Sequence, residues 1–181
     1  TIRNTPNTEH LAERLRVMRA LYAGGRSMDE PLSSRSLLIP SSERKFFPRF
    51  MNAYDLRNNP AGPQDYAGYV VLVVYWATWS QDSRDLVDDL KEFIPDLQKQ
   101  GLEVIAFSLD RNLEAVADFV EREELPWRVV CDQQGYESRF MREAEVGKIP
   151  AVFIIDRDGR KKKKNLPVSL LEEGILAALR E

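Results

Sequence analysis

The sequence predicts an α/β fold: a largely parallel sheet with helices on both faces and an antiparallel hairpin at one edge. Three observations carry this. Val70-Val71-Leu72-Val73-Val74-Tyr75-Trp76 is an unbroken apolar run rich in Val, the pattern of a strand buried on both faces. After residue 69, strand and helix patterns follow one another as β-α-β-α-β-α-β-β-α, which favours parallel strands joined by covering helices. Near the end, Asp156-Arg157-Asp158-Gly159 stands between two short strand patterns and reads as a hairpin turn.

Totals limit the function classes. A chain of 181 residues suffices for one domain with a sizeable core and an appendage. A hydrophobic fraction of 43% and a charged fraction of 30% fit a soluble globular protein. The net charge of −3 gives no reason to expect nucleic acid or an anionic membrane as partner. No apolar run approaches the ~18–20 residues of a membrane helix, and no signal peptide is visible, although the sequence opens at Thr1 and not at Met. Cys131 is the sole cysteine, which excludes an internal disulfide, a CxxC redox pair and a cysteine-based zinc site. His10 is the sole histidine, so any chemistry needing an imidazole base has one candidate.

Residues 1–53 read as a helical and irregular extension. Thr5-Pro6 is an N-cap and first helical residue, and Leu11, Leu15, Met18, Leu21 and Tyr22 recur at helical spacing before Gly24-Gly25. His10, on this helix without a titratable partner, reads as solvent-facing. Residues 37–39 form a short edge strand before Pro40, and Phe46, Phe47, Phe50 and Met51 anchor a short helix over a satellite core.

Residues 54–181 form the main domain. Asn58-Asn59-Pro60-Ala61-Gly62-Pro63 is a turn leading into the first strand. A helix over 83–100 faces inward through Leu86, Leu90, Phe93, Ile94 and Leu97, with a kink expected at Pro95, which cannot bond the Lys91 carbonyl. Then come a strand at 102–109, a helix at 113–124 turned inward through Val116, Phe119 and Val120, a strand at 127–131 and a helix at 136–144. The strand at 151–155, its return at 160–165 and a helix at 169–179 complete the chain. The run Arg160-Lys161-Lys162-Lys163-Lys164 falls on the returning edge strand, where lysines guard against edge-to-edge pairing. A local anchor for an acidic partner or anionic lipid is the functional reading of the same run.

The stretch from Val71 to Ser83 resembles the active-site segment of the thioredoxin superfamily, most closely the TlpA/ResA-like thiol–disulfide oxidoreductases and related redoxins. There a hydrophobic strand leads into W-A-x-W-C-x-x-C and a helix. Here Trp76-Ala77-Thr78-Trp79 is followed by Ser80-Gln81-Asp82-Ser83. The strand ending in Ser108 and Asp110, the Cys131-Asp132-Gln133-Gln134-Gly135 segment, and Gly147-Lys148-Ile149-Pro150-Ala151 before the last hairpin also resemble that family in order. The resemblance implies a thioredoxin-like fold with a central mixed sheet flanked by helices. It further implies a cis Ile149–Pro150 bond beside Ser80 and an Ile149 backbone able to pair with an extended peptide. It favours an extracytoplasmic setting, periplasmic or membrane-tethered, and leaves membrane association of the full-length protein open.

Both positions of the family's reactive cysteines are serine. A hydroxyl is not ionised near neutral pH, forms no disulfide and acts as a nucleophile only beside a base. No triad can be assembled here, so Ser80 or Asp82 reads as the helix cap. Cys131, about 50 residues from Ser80 at another strand end, reads as a small buried hydrophobe and not as a peroxidatic thiol. Two readings stand: a redox-inactive thioredoxin-like domain working in protein binding or assembly, or an oxidoreductase whose two cysteines were changed to serine. Either uses a frame of Trp76, Trp79, Gln81, Asp82, Ile149 and Pro150, takes a protein or peptide partner, and implies no cofactor, metal or nucleic acid.

Overall fold

Strand β1 (Val70–Trp76) runs through the middle of a five-stranded sheet, and all seven of its residues are buried. The structure is a computed structural model that describes residues 53–181; the expected N-terminal helix, the strand at 37–39 and the helix around 46–51 lie outside the described residues. β1 pairs in parallel with β2 (Leu102–Ser108), Val70 opposite Leu102 and Trp76 opposite Ser108. On its other side it pairs antiparallel with β4 (Ala151–Ile155), Tyr75 opposite Ala151 and Val71 opposite Ile155. β3 (Arg128–Cys131) lies outside β2 in parallel, and β5 (Lys161–Lys164) lies outside β4 antiparallel, giving the order β3-β2-β1-β4-β5.

The sheet is therefore mixed, and thioredoxin-like in its neighbours among solved structures, as described below. The antiparallel portion is wider than the last hairpin alone, because β4 already runs against β1.

Among the described residues four helices cover this sheet: α1 (Gln81–Gln98), α2 (Leu113–Arg122), α3 (Arg139–Ala144) and α4 (Val168–Arg180). α1 buries Leu86, Val87, Leu90, Ile94 and Leu97; Val87 completes the stripe, while Phe93 is only half-buried. The helix continues through Pro95, which sits in its last turn and deprives it of a single backbone bond. α2 is capped by Asn112, whose side chain accepts from the Glu114 and Ala115 amides at 3.0 and 3.4 Å. Val120 is half-buried, and Leu113 and Ala117 join Val116 and Phe119 inside.

The helix expected over 136–144 is broken in two. A 3-10 turn (Gly135–Glu137) precedes α3, and Ser138 lies between them. Its hydroxyl donates to Asp132 at 2.6 Å and accepts from the Phe140 amide at 3.2 Å, so a side chain meets the backbone donor that a continuous helix would have used. In α4, Leu171, Ile175 and Ala178 face inward, whereas Leu170 is left 48% exposed. The expected turn ahead of β1 is an Asp55-centred loop followed by a 3-10 helix (Pro63–Tyr66): the Asp55 carboxylate accepts from the Arg57 and Asn59 amides, both at 2.8 Å.

Alternation along β1 divides the core. Val71, Val73 and Tyr75 pack with Ile105, Phe107, Phe140 and Phe153 on one side. There Tyr75 stacks on Phe107 at 5.2 Å, meets Phe153 edge-on at 5.9 Å, and donates its hydroxyl to the Phe140 carbonyl at 3.2 Å. Burial pushes the Tyr75 phenol well above its ordinary range, so it serves as a neutral packing group. On the other side Trp76 lies against Phe119 of α2 at 5.1 Å. No described helix is long and apolar enough to cross a membrane.

Phe153 is fully buried and touches both Tyr75 and the strand outside it. Replacing Phe153 with Ala is expected to lower unfolding stability by about 3–5 kcal/mol in a urea titration followed by circular dichroism.

Candidate functional site at the β1–α1 turn

Because β1 is apolar to its last residue, polar chemistry begins only where the chain leaves it, at Ala77-Thr78-Trp79-Ser80. The turn closes through the Ser80 amide donating to the Ala77 carbonyl at 3.2 Å. Ser80 then becomes the N-cap of α1, its hydroxyl accepting from the Ser83 amide at 3.3 Å. Of the two expected caps, Ser80 is the one used. Asp82 lies exposed in the first turn, where a carboxylate favours the positive end of the helix dipole.

A buried carboxylate anchors the turn from below. Asp110, 3% exposed just past β2, accepts from the Thr78 amide at 2.9 Å, the Thr78 hydroxyl at 2.5 Å and the Ser108 hydroxyl at 2.6 Å. Its own amide donates to the Ser108 hydroxyl at 3.1 Å. The Leu109 amide donates to the Trp76 carbonyl at 2.9 Å, so the end of β2 holds the exit of β1 at both levels. From above, Arg84 donates to the Thr78 carbonyl at 2.5 Å and to the Gln81 side chain, and Gln81 donates in turn to Asp85 at 2.6 Å.

The two serines have different surroundings. Ser80 is half-buried at the surface of the turn, while Ser83 is fully buried on the inward stripe of α1. The Ser83 hydroxyl has no hydrogen-bond partner among the described residues. Among the described residues neither serine touches a basic side chain through its hydrogen bonds, so the geometry builds a helix cap and an enclosed hydroxyl.

The two tryptophans of the expected frame also part company. Trp76 is in the core, whereas Trp79 is 56% exposed and stands 6.3 Å, ring centre to ring centre, from Tyr136, itself 53% exposed. Ile149 is buried and Pro150 half-buried, joined by a cis peptide bond. The register that pairs Tyr75 with Ala151 brings Pro150 level with the end of β1. Gln81 is exposed beside Arg84. Among the described residues no group of three or more His, Cys, Asp or Glu side chains could hold a metal ion. His10 lies outside the described residues.

Cys131 ends β3 within the core, its thiol donating to the Asp110 carbonyl at 3.4 Å. Burial pushes that thiol from its ordinary 9.0 up to about 12, so the thiolate that redox chemistry needs is suppressed at neutral pH.

Thr78, Arg84, Asp110 and Tyr136 are the site residues that the residue-by-residue reading did not single out. The signal for Asp110 was present: an acidic residue directly after a fully apolar strand, two positions from a serine, predicts a carboxylate with local partners. Tyr136 could not be found this way, since its approach to Trp79 depends on the fold.

Residues 44–163 match the AhpC/TSA family. The chain belongs to that family. Among its relatives, this AhpC/TSA member is 31% identical over 109 residues to the thiol-disulfide oxidoreductase ResA of Geobacillus thermodenitrificans, covering 60% of this chain and 61% of ResA. The chain thus spans about three fifths of the length of the curated relatives it matches. Its fold is similar to that of a thiol-disulfide oxidoreductase from Bacteroides fragilis, with a TM-score of 0.67 at 18% identity, over 74% of this chain and 98% of that one. The thioredoxin domain of a thiol-disulfide oxidoreductase from Bacteroides vulgatus gives a TM-score of 0.63 at 21% identity, over 69% and 89%. This is a thioredoxin-like redoxin domain related to thiol–disulfide oxidoreductases, with serine at both positions where the resemblance puts cysteine.

Three variants test this geometry, one of them through a pH titration. Asp110→Ala strands the Thr78 and Ser108 donors and is expected to cost about 2–3 kcal/mol, whereas Ser83→Ala removes an unpaired buried hydroxyl and is expected to gain about 1 kcal/mol, both read from urea unfolding. Because the folded state holds the Cys131 proton more tightly than the unfolded chain, its contribution to stability is complete below pH 9.0 and is lost as pH rises toward about 12. Cys131→Ala is expected to flatten that part of the alkaline stability profile.

Proposed function

We propose that this domain carries out no thiol–disulfide exchange as it stands and works by binding an extended protein or peptide segment at the face formed by Trp79, Gln81, Asp82, Ile149 and Pro150. One observation carries the reading: among the described residues Ser80 is a helix cap and Ser83 a sealed, unpartnered hydroxyl, with no base hydrogen-bonded to either. A nucleophilic serine needs its proton taken, and among the described residues neither hydroxyl has a group to take it. The exposed Trp79 and Tyr136 rings supply the apolar contact that peptide recognition uses.

The single buried thiol supports the same reading. A pKa near 12 leaves almost no thiolate at neutral pH, and Cys131 has no second cysteine with which to resolve a mixed disulfide.

A second reading is favoured by the Ser83 hydroxyl. A sealed position that leaves a hydroxyl unbonded suits a sulfur, which loses less on burial, and this is what an oxidoreductase with both cysteines changed to serine would present. The codons at positions 80 and 83 of the natural gene separate the two readings: cysteine codons establish the second.

The protein as it stands is expected to reduce insulin no faster than the dithiothreitol background; turnover above that background overturns the proposal. Ser80→Cys combined with Ser83→Cys is expected to form an 80–83 disulfide, detected as a loss of two titratable thiols on oxidation, and to bring insulin reduction above background.

A further inference from the structure

We propose that the outer edge of β5 is a docking strand for an acidic extended peptide, which adds to the sheet as a sixth strand. The β5 edge lies two strands from β1, apart from the turn that holds the serines. Among the described residues no strand pairs with β5 on its far side, so its outward backbone groups lie at the margin of the sheet.

The charge along this edge has one sign. Arg160 and Lys161 to Lys164 place five consecutive cations on one short segment of a chain whose net charge is −3. Arg160, Lys163 and Lys164 are exposed, and none of the three has an ion-pair partner among the described residues. The Asp156 carboxylate in the adjoining turn accepts from the Arg160 amide at 2.7 Å, which fixes the entry into the strand without touching the Arg160 charge.

Register decides which partner fits. Lys164 lies opposite Phe153, with its ammonium 5.7 Å from the centre of that ring, on the side of the core that holds Tyr75. Lys163 lies opposite Ile154, the neighbouring residue, and therefore on the other side of the sheet. Cations on both sides of one edge match an extended strand bearing acidic residues on both of its own faces, which a flat anionic surface matches less well. Backbone bonds to the open edge supply the affinity of such an added strand. The lysines supply the selection: they repel a basic strand and desolvate at a cost against an apolar one, while each opposed acidic side chain is favourable.

The test uses the whole chain and a fluorescein-labelled TEEVEET peptide, followed by fluorescence anisotropy in about 50 mM salt, where exposed charges are weakly screened. Saturable binding is expected. It should weaken about tenfold or more both for the same peptide N-methylated at every residue and for the K163E/K164E protein, whose far-UV spectrum reports the fold. Equal binding of the N-methylated peptide overturns strand addition, because that peptide keeps the charge and lacks the backbone donors. Failure of the peptide to bind also overturns it. So does a protein that ignores the peptide but sediments with phosphatidylserine vesicles in a Lys163- and Lys164-dependent way, since the edge would then be a lipid contact.

Discussion

Everything in this domain depends on a strand that tolerates water on neither face. Seven consecutive residues of β1 are buried, and each side must be covered by something apolar. The covering is divided cleanly. Tyr75 and its aromatic neighbours Phe107, Phe140 and Phe153 fill one side, while Trp76 meets Phe119 of α2 on the other. A strand so placed cannot carry a polar site along its length. It can only deliver one at its end, and that is where the Thr78 to Ser80 turn sits.

Two buried polar groups beside that turn show opposite solutions to the same problem. Asp110 is a carboxylate taken out of water, and three donors from Thr78 and Ser108 surround it. The desolvation cost is offset, and the turn is tied to β2 in the process. Ser83 is a hydroxyl taken out of water with no donor or acceptor opposite it among the described residues. The contrast is local and physical: the Asp110 carboxylate under the turn is satisfied, while the Ser83 hydroxyl, like the buried Trp76 indole N–H, is left without a partner among the described residues. Cys131, by comparison, suits its place, since a thiol buried at the end of β3 asks little of its surroundings beyond the Asp110 carbonyl.

Much of this was legible in the sequence wherever a side-chain pattern and a backbone pattern coincide. β1 was readable because an unbroken Val-rich run admits one interpretation, and the hairpin was readable because Asp156 and Gly159 are turn residues with strands beside them. The pattern over 136–144 reads as one helix, and the structure breaks it because Ser138 competes with the backbone once Asp132 is brought near it. Spacing alone puts Phe93 inward, yet the sheet meets α1 along the line that includes Val87. The sites of the two serines followed from the resemblance of the surrounding motif. Their difference in exposure did not, because helix phase, and not sequence position, turns Ser83 into the core. The direction of β4 was likewise invisible, for strand polarity depends on how α3 and the segment after it return the chain.

With Cys131 as its sole thiol, buried at the end of β3, the chain cannot close a disulfide within itself. Its relatives named as thiol-disulfide oxidoreductases have a name that describes a cycle between two states. The two serines of this turn cannot join and part as a pair of thiols does, so the start of α1 is held by the Ser80 cap and not by a reversible covalent bond.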